Sequence, residues 1–305
     1  MPSFLKLIRW KNLFMIALVQ CLIKYALFHP FGVSTALNTF QFFLLILSTI
    51  CIAAAGYVIN DIYDIETDLI NKPEKVVIGK VISKKVAYNL YIILNVTGVF
   101  IGFYISYAIG KNEFFAIFVV ISALLYVYAS YLKQTFLLGN ITISILVALS
   151  VLIVGIFELI PAMTNQNQGI QLVFFRILLN YALFAFMINL IREIAKDLED
   201  FDGDYKTGMH TLPIVIGRKR ATTLLFVTCL IPLVAIIYYV NNTLYKQPVA
   251  VIYYLIFIIA PLIYLCILIF NAKTKREFHT ISNVLKFVML LGMLSILLYP
   301  FILLH

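Results

Sequence analysis

Cysteine, tryptophan and charge are all in short supply. The 305 residues include four cysteines and one tryptophan. Cys21, Cys51, Cys229 and Cys266 all fall in apolar runs, with no C-x-x-C pair and no histidine at ligand spacing. That excludes a disulfide framework and a zinc centre, and leaves them as small buried hydrophobes. Charged residues make up 12% of the chain, against about a quarter in soluble globular proteins. His29, His210, His279 and His305 have no partner at catalytic spacing and read as bland. A cleavable leader is not expected, because the first apolar run lacks a small-residue cleavage site.

What is present is apolar: 63% of residues are hydrophobic. A bilayer core takes roughly 20 such residues per helical span. About nine stretches qualify, near 12–32, 37–59, 86–109, 114–132, 137–160, 173–191, 221–240, 248–270 and 282–304. The expected fold is all-α, a polytopic membrane protein forming one domain over residues 1–305. Of the 23 lysines and arginines, 18 lie before span one or in the loops after spans two, four, six and eight. By the positive-inside rule those loops and the N-terminus face the cytoplasm. The net charge of +9 reflects that asymmetry, and no nucleic-acid surface is implied.

The 14 acids are concentrated in two places. After span two comes Asn60-Asp61-Ile62-Tyr63-Asp64-Ile65-Glu66-Thr67-Asp68, followed by Asn71-Lys72-Pro73-Glu74-Lys75. In a helix Asp61, Asp64 and Asp68 fall at i, i+3 and i+7 and share one stripe. After span six the chain repeats that spacing in Asp197, Asp200 and Asp204, within a stretch that also holds Asn189, Arg192, Glu193, Lys196, Glu199 and Asp202. Five acids lie in the first stretch and six in the second, so two matched clusters face one compartment. A solvated loop face does not require that match.

Carboxylates crowded this closely suit hard divalent cations. Mg²⁺ in particular shares itself between carboxylates and substrate phosphates. A diphosphate bridged by Mg²⁺ is a good leaving group, because the metal neutralises the charge that builds on it. Arg192, Lys196 and Lys133 are candidate clamps, with Lys72 and Lys75 in the connecting loop. The departing group must survive as a cation, as an allylic prenyl group does, and an apolar groove between helices suits its tail. Tyr57, Tyr63 or Tyr128 would steady that cation through a ring face.

These residues resemble the UbiA family of intramembrane prenyltransferases. The resemblance rests on Asn60-Asp61-x-x-Asp64-x-x-x-Asp68 with Asn71-Lys72-Pro73, and on Arg192-Glu193-x-x-Lys196-Asp197-x-x-Asp200-x-x-x-Asp204 with Gly208 and Thr211-Leu212-Pro213. Arg9-x-x-Asn12 and Tyr128-x-x-x-x-Lys133 with Gly139-Asn140 fit as well. The resemblance implies nine helices around a central cavity and transfer of a polyprenyl group such as geranylgeranyl. It implies Mg²⁺ at Asn60, Asp61, Asp64, Asp68, Asp197, Asp200 and Asp204, among which Asp64, Asp68, Asp200 and Asp204, with Lys133, carry the chemistry. Arg9, Asn12, Lys72, Lys75, Tyr128, Arg192 and Lys196 are then the expected substrate-binding residues. The form Lys196-Asp197-x-Glu199-Asp200-x-x-Gly203-Asp204 is similar to the digeranylgeranylglyceryl phosphate synthase subgroup, in a bacterial or archaeal plasma membrane.

Partners implied are a polyprenyl diphosphate, a small or lipid acceptor and membrane lipids. The acceptor on this reading is a prenylglyceryl phosphate hydroxyl; the alternative is an aromatic acid of quinone biosynthesis. A cation-coupled transporter is the alternative of another class, but it would place acids near the bilayer midplane. Inside the predicted spans the one acid is Glu158, close to an external end.

Overall fold

The computed structural model describes residues 2–74 and 76–303. Among them there is no strand; an isolated bridge between Ile78 and Ile82 closes the connector after the first acidic stretch. The helices are α1 (Pro2–Leu7), α2 (Trp10–Leu22), α3 (Thr39–Tyr63), α4 (Ile65–Asn71), α5 (Lys84–Ala108), α6 (Phe115–Ser130) and α7 (Leu138–Glu158). They continue as α8 (Gln168–Lys206), α9 (Leu212–Ile216), α10 (Arg218–Tyr239), α11 (Pro248–Tyr254), α12 (Ala260–Asn271), α13 (Lys275–Leu294) and α14 (Tyr299–Leu303). Wider π-type turns over Ile23–Phe28 and Leu255–Ile259 extend α2 and join α11 to α12. Nine helical stretches among the described residues are long and apolar enough to cross a membrane, as the hydropathy pattern predicts.

Local sequence sets the helix starts. Asn38 accepts from the Gln41 amide while Gln41 returns a bond to Asn38, a capping box that opens α3. Ser83 caps α5, and Thr274 with Glu277 forms a second capping box that starts α13. That box draws a polar first turn into the ninth span, which therefore begins at Lys275, before the predicted 282. The larger departure is at span six, where hydropathy alone predicts an end at 191. The helix runs on without a break to Lys206, 39 residues in all, so the second acidic stretch is helical throughout.

The chain divides into two compact units. One contains the chain up to Cys21, Val33–Gln134 and Leu149–Leu178. Leu7, Val58, Ile59, Ile62, Ile78, Ala87 and Ala129 form a buried cluster in it beneath the first acidic stretch. At its other end the fully buried Glu158 accepts from the Leu37 amide at 3.0 Å, and Gln171 donates to the Ser34 carbonyl at 2.8 Å. These bonds pin the connection that leads into α3. The second unit contains Leu22–Gly32, Thr135–Ala148 and the chain from Leu179 onward. Its core gathers Ile188, Ile191, Leu198, Leu225, Leu262, Leu285 and their neighbours from α8, α10, α12 and α13. Cys229 and Cys266 meet there as buried free thiols, with sulfurs 3.7 Å apart.

Close helix approach in the first unit depends on glycine. A Cβ at Gly98 would stand 2.6 Å from Ile52 Cγ1, and one at Gly102 would stand 2.4 Å from the ring of the buried Phe118. Neither ring nor backbone has room to retreat in a close-packed interior. Gly102→Ala is therefore expected to destabilise the protein by about 1–3 kcal/mol, read as a lower unfolding temperature in a fixed detergent. Gly169→Ala, at a position with nothing within 4 Å, serves as the control and should match the parent to within ~0.5 kcal/mol.

Candidate active site

The first acidic stretch belongs to the first unit. α3 is apolar until Asn60, then ends at Tyr63, and Asp64 sits at the joint with α4 at φ −90°, ψ 1°. The hydrogen-bond ladder survives this joint: the Asp64 amide donates to the Asn60 carbonyl at 2.9 Å and the Asp68 amide to the Asp64 carbonyl at 2.8 Å. The stripe expected from helical spacing is therefore present, but bent at Asp64. Asn60 Nδ2 donates to Asp64 Oδ2 at 2.6 Å. Lys133, almost fully buried, donates Nζ to Asp64 Oδ1.

Asp61 meets a different cation. Arg9 Nη2 donates to Asp61 Oδ1 at 2.8 Å, and the Arg9 guanidinium lies 5.0 Å from the centre of the Tyr57 ring. Asn12 Nδ2 donates to the Tyr57 hydroxyl at 3.2 Å. Arg9 thus touches both Asp61 and Tyr57, and Tyr57 joins it to Asn12, a link that sequence spacing does not specify, while Asn60 and Lys133 meet on Asp64. Asp68 completes the stripe. Burial, and then the charges of Asp64 and Asp61, push its carboxyl up to about 6, against the opposing pull of Lys72 and Arg9. Asn60 Oδ1 is buried and meets no hydrogen-bond donor among the described residues.

Lys72 caps α4 through its amide, which donates to the Asp68 carbonyl at 2.8 Å. Lys75 lies outside the described residues. Tyr128 is half-buried near the end of α6. The Tyr63 ring packs edge-on against Tyr126 at 6.2 Å between centres, and the two hydroxyls lie 3.1 Å apart.

The second acidic stretch belongs to the second unit and lies on α8. Its six acids are not equivalent. Glu193 is shared by two cations, accepting from Arg192 Nη1 at 3.0 Å and from Lys196 Nζ at 3.0 and 3.1 Å. Glu199 is buried and lies 3.0 Å from His279 Nδ1 at the start of α13. His279 therefore has an acidic partner, contrary to the reading from sequence, which sees only near neighbours. Asp202 pairs with Arg218 at 2.6 Å, and the Arg218 guanidinium stacks over Phe201.

Asp197, Asp200 and Asp204 form the i, i+3, i+7 stripe on α8. Asp197 Oδ2 accepts from Asn140 Nδ2 at 2.8 Å. Behind that bond, Ser144 Oγ donates to the Asn140 carbonyl at 2.6 Å, and Asn189 Nδ2 donates to Ser144 Oγ at 3.2 Å. Asn140 therefore orients one member of the stripe, and its only signal in sequence is its place in the Gly139-Asn140 pair. Gly208, at φ +73°, ends the segment. Arg192 Nε is buried and meets no acceptor among the described residues.

No three His, Cys, Asp or Glu side chains among the described residues make a closed metal cage. The donors present are amide and carboxylate oxygens, a set suited to a hard cation that keeps water and substrate oxygens in its shell. The buried, unmatched Asn60 Oδ1 fits a cation. The buried, unmatched Arg192 Nε–H fits an anionic oxygen.

Comparison with known proteins agrees with this chemistry. Residues 17–291 match the model of the UbiA prenyltransferase family. A digeranylgeranylglyceryl phosphate synthase from Methanosphaera stadtmanae is 33% identical over 260 residues, covering 82% of this chain and 86% of that protein. One from Methanococcoides burtonii is 29% identical over 97% of this chain and 98% of its own length. A solved structure of a digeranylgeranylglyceryl phosphate synthase superposes with a TM-score of 0.63 at 25% identity, covering 98% of both chains. The fold is also that of a UbiA homologue from Archaeoglobus fulgidus solved with DMAPP and Mg²⁺, with a TM-score of 0.55 at 19% identity, covering 96% of this chain and 99% of that one. The family match runs through both acidic stretches, and the chain belongs to the UbiA family as an integral-membrane prenyltransferase.

Proposed function

We propose that the chain, acting as one domain, transfers a geranylgeranyl group from its diphosphate to the free hydroxyl of a prenylglyceryl phosphate, with Mg²⁺ as cofactor. The observation that carries the metal is the oxygen set of Asn60, Asp64 and Asp68, in which burial, and then the charges of Asp64 and Asp61, raise Asp68. Asp197, Asp200 and Asp204 supply the matching set on α8. The acceptor rests on the likeness to digeranylgeranylglyceryl phosphate synthases, which share the form of the second acidic stretch. The distribution of basic residues supports a cytoplasmic N-terminus and cytoplasmic acidic stretches, in a bacterial or archaeal plasma membrane.

On this reading each side chain has a task. Bound Mg²⁺ would neutralise the charge that grows on the departing diphosphate. Lys133 holds Asp64 and presents a buried ammonium beside the same charge. Arg192 and Lys196, steadied by Glu193, offer donors to phosphate oxygens, and Arg192 Nε is already desolvated for that purpose. Asn140 keeps Asp197 aimed. The allylic carbon–oxygen bond breaks with its electron pair going to diphosphate, and the acceptor oxygen bonds to the allylic carbon as its proton passes to the released diphosphate.

Membranes containing the protein, given labelled geranylgeranyl diphosphate and geranylgeranylglyceryl phosphate, should form the doubly prenylated product only with Mg²⁺, and chelation should stop the reaction. Mass analysis of the product decides the acceptor; prenylation of an aromatic acid in its place would overturn that part of the reading.

Asp64→Ala and Asp200→Ala should each lower kcat/KM by at least about 100-fold. Full turnover by either variant would overturn the metal assignment. Lys133→Met should cost about 10- to 100-fold in kcat, in protein that elutes from size exclusion like the parent.

A further inference from the structure

We infer that Tyr57 is a positioning residue. Together with Asp61 it seats the Arg9 guanidinium, so that one edge of that group stays open to an anionic oxygen of the substrate diphosphate. The identity of that anion rests on the function proposed above; the seat itself does not.

The seat follows from helix geometry. Tyr57 and Asp61 are one turn apart on α3 and share a face. Arg9 lies across both, with its ζ-carbon 5.0 Å from the ring centre and Nη2 2.8 Å from Asp61 Oδ1. A guanidinium offers its donors in a planar fork, so the bond to Asp61 spends one edge. The Arg9 side chain keeps 36% of its surface exposed. The Tyr57 ring is fixed in turn by Asn12, which donates to its hydroxyl at 3.2 Å.

The backbone at Arg9 points to the same conclusion. Its φ is +51°, in the left-handed region that a residue with a Cβ avoids. Such a conformation persists only where the surroundings over-determine it. On one side the fully buried Leu7 anchors the chain among Val58, Ile59 and Ile62. On the other, the Arg9 carbonyl accepts from the Asn12 and Leu13 amides at 2.8 and 3.4 Å and starts α2. The bend between α1 and α2 therefore delivers one side chain to one place. It also removes a ring face of Tyr57 from the set that could steady an allylic cation, because that face is covered by Arg9.

The test uses the full-length protein in detergent. Phenylglyoxal modifies accessible arginines, and mass spectrometry reads the rate at Arg9. Labelling should be several-fold faster in Tyr57→Leu than in the parent, and intermediate in Tyr57→Phe, which keeps the ring but loses the Asn12 bond. In turnover, Tyr57→Leu should raise KM for geranylgeranyl diphosphate about tenfold while kcat changes by less than about threefold, the pattern of lost substrate binding. Should the leucine variant not fold, the near-isosteric Asp61→Asn carries the labelling test, with the same acceleration expected. Labelling of Arg9 at the parental rate in these variants, or a loss confined to kcat, would overturn the inference. If the parent consumes no prenyl diphosphate, the functional reading fails while the labelling arm still decides the seat.

Discussion

Carboxylates crowded at the end of a membrane helix repel one another, and the chemistry of this protein is organised around that repulsion. Two unit charges about 4 Å apart interact by about 4 kcal/mol at the effective dielectric of a protein surface, a large fraction of what any single contact can return. Each acid must therefore be met by a cation, by a donor or by a metal. In the first stretch Asp61 is met by Arg9 and Asp64 by Lys133 and Asn60, while Asp68 is held by raising its affinity for a proton. In the second, Glu193, Glu199 and Asp202 are met by basic side chains and Asp197 by an amide. The partners differ along α8: Glu193 is shared by Arg192 and Lys196, Glu199 meets His279, Asp202 meets Arg218, and Asp197 meets the Asn140 amide.

What the sequence makes legible is whatever depends on near neighbours. Nine apolar runs are legible because a span needs only length and composition. The two stripes are legible because helical spacing alone aligns Asp61 with Asp64 and Asp68, and Asp197 with Asp200 and Asp204. The end of span six is misplaced by that reasoning. Hydropathy marks where apolar residues stop at 191, whereas Glu, Lys and Arg are good helix formers and the helix continues through Glu193 and Asp204 to Lys206. The bend at Asp64 is equally hidden, since no glycine or proline announces it.

Contacts between distant segments are not legible at all. His279 reads as bland because its partner Glu199 is 80 residues away. Asn140 shows in sequence only as half of the Gly139-Asn140 pair, because Asp197 is 57 residues away. Tyr57 shows the limit most clearly. Its position supports a role at the allylic cation as well as any other tyrosine does, and only the path of the chain from α1 to α2 shows that Arg9 lies on its ring. Family likeness supplies the reaction class, but it does not supply these links, because they are properties of packing.

The pattern of partners bears on why such a site would need metal. The basic groups at the two stretches look, in sequence, like clamps waiting for a polyanion. In the fold four of them are already engaged: Arg9 with Asp61, Lys133 with Asp64, Arg192 and Lys196 with Glu193. Their positive charge is largely offset where it stands, so a diphosphate would gain direction from them more than net attraction. The exception is local. Arg192 keeps a buried Nε without an acceptor among the described residues, a donor that costs free energy until an oxygen reaches it. On the function proposed above, bound metal would balance the substrate charge, and the basic residues of each stretch would give the phosphates direction.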